Sequence, residues 1–353
     1  MRRSMIRIPE LVRIKPGALD RLGLYLARPG FRRVVLMMSE GLPAELPARV
    51  RASLDAHTIE TAGFHEISTA SFEEASALLG ALPGGCQALV GMGGGKALDT
   101  AKYVATLANL PYFAVPTSLS NDGFCSPQSS LTLRGKRRSL SAHLPWAVII
   151  DTGVCRQAPG VLWASGAGDL VAKLTATADW KLSFHATGEP VDDFATLLSD
   201  ATVYQFASCP AQDAEGVRLL GTALMLNGIA MEVAGSSRPA SGSEHLISHA
   251  LDQISARPRL HGLQVGCASY IVAHLQGGTH AATIGRVLEG AGFWEHLRQD
   301  PFHLEQWRTA FALAPSIKPG YYTVLSTRDT WPEAESLITT DRVLAQCFSA
   351  CAA

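Results

Sequence analysis

The stretch Ala88–Lys102, ALVGMGGGKALDTAK, decides the fold. It opens on a short apolar run, passes through Gly91, Gly93, Gly94 and Gly95, and continues into an alanine-rich pattern of helical period, which reads as strand, tight turn and helix. Glycines lack the Cβ that would hold a ligand away, and the following helix points free N–H groups and its positive dipole end at whatever sits there. A dinucleotide pyrophosphate suits such a turn. The spacing is neither G-x-G-x-x-G nor a P-loop, because Gly95-Lys96 is followed by Ala97 where a Mg²⁺-binding hydroxyl belongs. Asp99 and Lys102 stand three apart on one helix face. There the acid meets a ribose or carboxamide, or the two form an ordinary surface pair behind a glycine needed only for backbone shape. Taken alone, the stretch leaves both readings open.

Working outward, residues 5–14 alternate as a strand, Lys15-Pro16-Gly17 turns, and a helix runs from about Ala18 to Ala27. Val34–Met38 is a buried-type strand ending at Ser39-Glu40-Gly41, where an acid would select NAD and Ser39 leaves NAD or NADP open. A helix, a weaker strand near 57–62 and a helix near 72–80 lead into the glycine stretch. Beyond it, Pro111–Val115 is a short strand running into the hydroxyl-rich loop from Pro116 to Gly123, with Asp122 as its carboxylate. A hairpin around Arg134-Gly135-Lys136 and the strand Ala147–Asp151 are expected to close the sheet. Past about Pro159, strand-like runs almost vanish and alanine-rich amphipathic helices take over. The expected organisation is an α/β Rossmann-like dinucleotide-binding domain over 1–160, then an all-α metal- and substrate-binding domain over 161–353, with the active site in the cleft between them.

At 353 residues, with 47% hydrophobic and 17% charged residues, the chain is an ordered globular protein with room for two domains. A net charge of −1 gives no electrostatic footprint for nucleic acid or an acidic membrane surface. The seven cysteines are odd in number and contain no C-x-x-C, so reduced buried thiols are expected rather than disulfides or a thiolate zinc site. The basic N-terminus lacks a continuous apolar core, and no window of eighteen apolar residues runs without interruption. The expectation is a cytoplasmic protein, without membrane insertion, that acts on a small molecule as a homo-oligomer.

The second half carries residue types that suit a metal. Asp169 and Lys173 share a helix face at i, i+4. Ser241-Gly242-Ser243-Glu244-His245 reads as a capped helix start with His249 one turn on, and His261-Gly262 opens another helix. One carboxylate and two imidazoles make a borderline-metal site with an open position. His245 and His249 have zincin spacing, but Leu246 occupies the place of the general base, which excludes a metalloprotease. Among eleven histidines some i, i+4 pairs arise by chance, so spacing alone also fits capping or core histidines.

In order along the chain, GMGGGKALDTAK, VPTSLSNDGFCSP, GDLVAKLTATADWKLS, SSRPASGSEHLISHALD and LHGLQVG closely resemble the sn-glycerol-1-phosphate dehydrogenases. That family lies within the superfamily of iron-containing alcohol dehydrogenases, glycerol dehydrogenases and dehydroquinate synthases. The resemblance runs from about Ile14 to Leu325 and implies a dehydroquinate synthase-like fold. It implies Asp169, His245 and His261 as metal ligands, and Gly93, Gly94, Gly95, Asp99, Thr117, Ser118 and Ser126 along an NAD or NADP cofactor. It implies Asp122 beside the substrate hydroxyls and His249 near the nicotinamide, and it puts Lys173 where iron-type relatives have a fourth metal-binding histidine. A charged lysine does not ligate a metal but holds a phosphate, which favours a phosphorylated substrate. Two departures touch the site: Asn121 replaces a histidine before Asp-Gly, and Leu263 stands where Glu usually follows His-Gly.

The activity so implied is reversible hydride transfer that reduces dihydroxyacetone phosphate to sn-glycerol 1-phosphate in phospholipid metabolism. One divalent metal, zinc first with nickel or iron open, would polarise the carbonyl. Asp122, His249 and Lys173 are the candidate catalytic residues, and Lys173 and Arg238 the candidates for the phosphate. The alternatives are a dehydrogenase for another polyol or ketone, or a sugar-phosphate cyclase of the dehydroquinate synthase type.

Overall fold

The computed structural model describes residues 6–349. Residues 1–5 and 350–353, and with them Met5 of the expected first strand and Cys351, lie outside the described residues. The chain forms two compact units, Met1–Ala158 and Pro159–Ala353.

In the first unit, β1 (Leu11–Lys15), β2 (Arg33–Ser39), β3 (Glu60–Ile67), β4 (Ala88–Gly93) and β5 (Tyr112–Pro116) are joined by α1 (Leu22–Ala27), α2 (Glu45–Asp55), α3 (Phe72–Gly80) and α4 (Gly95–Ala108). The hairpin β6 (Gln128–Leu133) and β7 (Lys136–Ser141), then β8 (Ala147–Asp151) and α5 (Thr152–Arg156), complete it. Among the described residues the main sheet has the order β1-β8-β5-β4-β2-β3, and every pairing in it is parallel. Alternate side chains of β2 explain its two-sided burial. Val34, Leu36 and Met38 pack with Leu26, Val50 and Leu54 on one face, while Val35 and Met37 pack with Ala97, Ala101 and Val104 on the other. Gly91 lets α4 lie close on β4, since a Cβ there would come within 2.8 Å of both Ala101 Cβ and Tyr112 Oη.

Several boundaries differ from the sequence reading. The first strand is only Leu11–Lys15, because β8 offers it five residues of partner. Its following helix begins as a 3₁₀ turn over Leu19–Arg21, pinned by the Asp151 carboxylate, which accepts from the Gly17 and Leu19 amides. The weak strand expected near 57–62 is Glu60–Ile67. It starts after a turn with Thr58 at φ 54° and lies at the sheet edge, so its outward polar residues masked its period. The hairpin does not join the main sheet but forms its own two-stranded sheet, and β8 inserts between β1 and β5 rather than closing an edge.

The second unit is built from α6 (Gly160–Thr187), α7 (Asp193–Phe206), α8 (Ala214–Ala234), α9 (Ser243–Ile254) and α10 (His261–Leu275), followed by α11 (Ala281–Gly290), α12 (Phe293–Gln299), α13 (Leu304–Ile317) and α14 (Trp331–Thr340). The Asp192 and Asp213 carboxylates cap α7 and α8 by accepting from backbone amides. By length and hydropathy α8 is able to cross a membrane, but 61% of its most apolar window is buried inside the protein, as in a core helix.

α6 and α10 approach unusually closely. A Cβ at Gly168 would fall 2.1 Å from Gly262 O, one at Gly262 would fall 1.8 Å from Ser165 O, and one at Gly266 would fall 2.6 Å from Gly168 Cα. Three glycines thus set the separation of two helices, and each of two metal-suited residues, Asp169 and His261, stands next to one of them.

Candidate active site

The strand order gives the first unit a topological switch point. From β2 the chain passes by α2 to β3 on one side, and from β4 it passes by α4 to β5 on the other, so a crevice opens between the carboxyl ends of β2 and β4. Ser39 ends β2 and Gly93 ends β4. Gly94 N donates to Ser39 Oγ at 3.0 Å, and a Cβ at Gly93 would fall 2.1 Å from that same hydroxyl, with φ at +132°. Gly93 is therefore a glycine for conformation and for space. At Gly94 nothing lies within 4 Å of where a Cβ would be, and α4 begins there without a side-chain cap. The first amides of α4 face this open cradle, which suits a diphosphate. Ser39 spends its oxygen on the turn.

Thr117 N donates to Gly93 O at 3.1 Å and so joins the hydroxyl-rich loop to the same turn. Asn121 Oδ1 accepts from Gly123 N at 2.9 Å and shapes the short 3₁₀ turn that carries Asp122. Lys102 is buried, lies 3.2 Å from Asp99 Oδ1 and donates to Gly123 O at 2.5 Å. The pair is thus an interior tie between α4 and the loop rather than a surface pair. Burial pushes the Asp99 carboxyl up, and Lys102 opposes it. Ser118 is buried near these groups in sequence, whereas the Ser126 hydroxyl is spent on its own turn, donating to Gln128 O and accepting from Gln128 N, both at 3.1 Å.

In the second unit three helices bring Asp169, His245 and His261 together, with one ligand-type atom of each lying within 4.8 Å of the others. His245 Nε2 is 3.5 Å and His261 Nε2 is 3.9 Å from Asp169 Oδ1. One carboxylate oxygen and two imidazole nitrogens fit a borderline divalent ion. His249 adds a third ring, 5.8 Å from that of His261 and 6.3 Å from that of His245. Lys173, fully buried, holds its ammonium 3.6 Å from Asp169 Oδ1. Burial raises the Asp169 carboxyl, but Lys173 and the two imidazoles outweigh it and hold it well below the usual carboxylate range. For His245, burial disfavours the cation, yet Asp169 and Glu244 raise its pKa.

Other residues, not singled out by the sequence, surround this cluster. Glu244 Oε1 lies 2.9 Å from His245 Nδ1 and accepts from Gly242 N, while its Oε2 accepts from Thr175 Oγ1. Asp179 accepts from the Ser243 and Val324 amides and from Gln276 Nε2. The start of α9 is therefore capped by Glu244 and Asp179, its N-cap residue Gly242 having no side chain to do so. Burial, then Glu244, pushes Asp179 up to about 6. The signal available for Glu244 was its place beside a ligand histidine at a helix start. Nothing in the sequence marked Asp179.

Arg238, the other candidate for the phosphate, is buried and committed to protein partners. Its guanidinium donates to both Glu189 carboxylate oxygens, to Ser183 Oγ and to Tyr322 O, and it stacks 3.9 Å from the Tyr321 ring centroid. Ser183 lies fourteen residues beyond Asp169 on α6, about 21 Å along a helix that rises 1.5 Å per residue.

Residues 13–159 match the family model described as iron-containing alcohol dehydrogenase. The chain is 39% identical over 254 residues to a glycerol-1-phosphate dehydrogenase (NAD(P)+) of Metallosphaera sedula, covering 70% of this chain and 72% of that one. It is 40% identical over 254 residues to a protein of the same name from Hyperthermus butylicus, with 70% and 72% covered. Glycerol dehydrogenase from Schizosaccharomyces pombe has a similar fold, with a TM-score of 0.76 at 18% identity over 98% of this chain and 92% of that one.

Proposed function

The chain belongs to the glycerol-1-phosphate dehydrogenases, within the iron-containing alcohol dehydrogenase family, and from that premise we propose that it reduces dihydroxyacetone phosphate to sn-glycerol 1-phosphate. It is an NAD(P)-dependent oxidoreductase. The observation that carries the reading is the convergence of Asp169, His245 and His261 from three helices, with Lys173 one turn from Asp169.

Asp169, His245 and His261 would hold one divalent ion, for which zinc is our choice. When bound, the metal supplies Lewis-acid polarisation of a carbonyl oxygen and the nicotinamide supplies the hydride. Gly93, Gly94 and Gly95 leave room for the pyrophosphate and aim the α4 amides at it, and Asp99 and Thr117 line the same turn. Lys173 places a fixed positive charge beside the metal carboxylate, where it favours an anionic substrate. Asp122 and His249 are the groups available to hold the substrate hydroxyl and to deliver a proton to the developing alkoxide oxygen. Burial of the cluster strengthens each of these interactions relative to water. The protein would act in the cytoplasm as a homo-oligomer.

The test is a screen of phosphorylated and unphosphorylated ketones with NADH and NADPH, followed by absorbance of the reduced cofactor, on protein of measured metal content. Rapid cofactor oxidation with the triose phosphate is expected, together with its loss in His245→Ala. Turnover only of an unphosphorylated ketone would refute the substrate. Conversion of a sugar phosphate without net cofactor change would show a cyclase. Full activity in His245→Ala would refute the ligand set.

A further inference from the structure

The bonds behind the two imidazoles decide which ring nitrogen faces Asp169. Behind His245, Glu244 Oε1 stands 2.9 Å from Nδ1. The same carboxylate accepts from Gly242 N at 2.6 Å and from Thr175 Oγ1 at 2.9 Å, so donors surround both of its oxygens. A carboxylate has no proton to give, and His245 Nδ1 must therefore be the donor. Behind His261, Ser248 Oγ stands 3.2 Å from Nδ1 and 2.7 Å from Gln264 Oε1. Two oxygens at that distance share a proton, and an amide oxygen carries none, so Ser248 donates to Gln264. The serine oxygen then presents lone pairs to the ring, and His261 Nδ1 must also donate.

We infer that Glu244 for His245, and the Ser248–Gln264 pair for His261, hold both imidazoles protonated at Nδ1 with the Nε2 lone pair toward Asp169. These three are positioning residues, and the inference rests on the metal reading only for its purpose, since the bonds stand without an ion. Both rings are thereby preset in the one tautomer that lets Nε2 ligate. The two supports differ in kind. Glu244 is a buried anion, which makes the His245 ring the more basic ligand, whereas Ser248 is neutral. Gly242 is required for the first support: a Cβ there would come 2.8 Å from Asp179 Oδ2 and 3.1 Å from Glu244 Oε2.

Long-range ¹H–¹⁵N correlation on histidine-labelled protein reports which ring nitrogen carries the proton. Metal-free protein above about pH 9, where an imidazole is neutral, should show Nδ1–H for both rings, and the zinc-loaded protein should show the same. A proton on Nε2 of either ring overturns the inference; for His261 it would mean that Gln264 turns its amide nitrogen to Ser248. Zinc affinity, measured by competition with a chromophoric chelator, should fall roughly 10- to 100-fold in Ser248→Ala and further in Glu244→Ala. Glu244→Gln keeps an acceptor without the charge and should restore the His245 tautomer while recovering only part of the affinity. Wild-type zinc affinity in both alanine variants, with unchanged melting temperature, would overturn the positioning role. If wild-type protein bound no divalent metal, the functional reading would fail, while the tautomers in metal-free protein would still decide this inference.

Discussion

Replacing Gly262 by alanine tests whether the close approach of α6 and α10 is what assembles the metal site. The added Cβ would lie 1.8 Å from Ser165 O and 2.6 Å from Ser165 C, both backbone atoms, so no side chain can turn away to make room. Ordinary van der Waals contact begins near 3.4 Å, so the helices must part by about 1.6 Å; the same reckoning for Gly168→Ala against Gly262 O gives about 1.3 Å. Asp169 and His261 adjoin these glycines, and their facing atoms are already 3.9 Å apart. Tetrahedral zinc with bonds of about 2.0 Å needs its ligand atoms about 3.3 Å apart. Parting the helices moves the pair away from that value, to beyond about 5 Å if the displacement lies along the line between them. Overpacking of this kind costs about 1–3 kcal/mol of stability, with backbone contact at the upper end. Metal affinity should fall at least about 100-fold, as losing a ligand exceeds losing an outer partner. Elemental analysis after dialysis, chelator competition and thermal melting read the two effects separately. Gly80→Ala, whose Cβ meets nothing within 4 Å, is the control. Wild-type metal affinity in Gly262→Ala would refute the reasoning.

Three further outcomes follow from the same geometry. Lys102→Met leaves the Asp99 carboxylate buried without its cation and takes one donor from Gly123 O, so about 3–5 kcal/mol of stability and most cofactor affinity should be lost, read by melting and by nucleotide titration; tight nucleotide binding would contradict the tie. Arg238→Ala should lower the melting temperature by stranding Glu189 while leaving KM for the phosphorylated substrate within about twofold; a KM increase of more than tenfold (about 1.4 kcal/mol) would return Arg238 to the substrate. Asp179 has a folded pKa raised to about 6, so the native state holds the proton more tightly than the unfolded chain; stability should decline as pH rises from about 4 to about 6, by up to about 3 kcal/mol, and level off above. Asp169, held low, acts in the opposite sense and at lower pH, since its contribution is lost as pH falls below about 4. Denaturant titrations of metal-free protein across this range should show the decline in the wild type and not in Asp179→Asn, and an equal slope in both would remove Asp179 as its source.

How much was legible depended on whether a signal was local. The glycine turn was readable because Gly91 and Gly93 each answer to a steric demand that no other residue meets, and the start of α4 follows at once. The clustering of Asp169, His245 and His261 became legible only through the family resemblance, since spacing alone also fitted capping or core histidines. What stayed hidden was set by partners distant in sequence. The position of β8 inside the sheet depends on β1, more than 130 residues earlier. The bonds that commit Arg238 were hidden because its neighbours Ser183 and Glu189 sit about fifty residues upstream. The stretch from Ser241 to His245 reads as a capped helix start, but the caps themselves are the buried carboxylates of Glu244 and the distant Asp179.

The buried charges give the substrate reading its physical logic. Asp169 and Lys173 are both nearly inaccessible, and beside neutral imidazoles their two charges cancel at the ligands themselves, in a region where an uncompensated ion is costly. In the metal-free chain Lys173 is the fixed counter-charge of Asp169, which is why that carboxyl is held so low. A divalent ion on the three ligands would add two positive charges there, with the Lys173 ammonium now beside a like charge. Lysine at this position thus fits a neutral polyol poorly, because no substrate anion would stand against the repulsion between ion and ammonium. It makes sense for a phosphorylated ketone, whose anion supplies the missing charge when it enters, so that substrate binding and relief of the buried repulsion are one event.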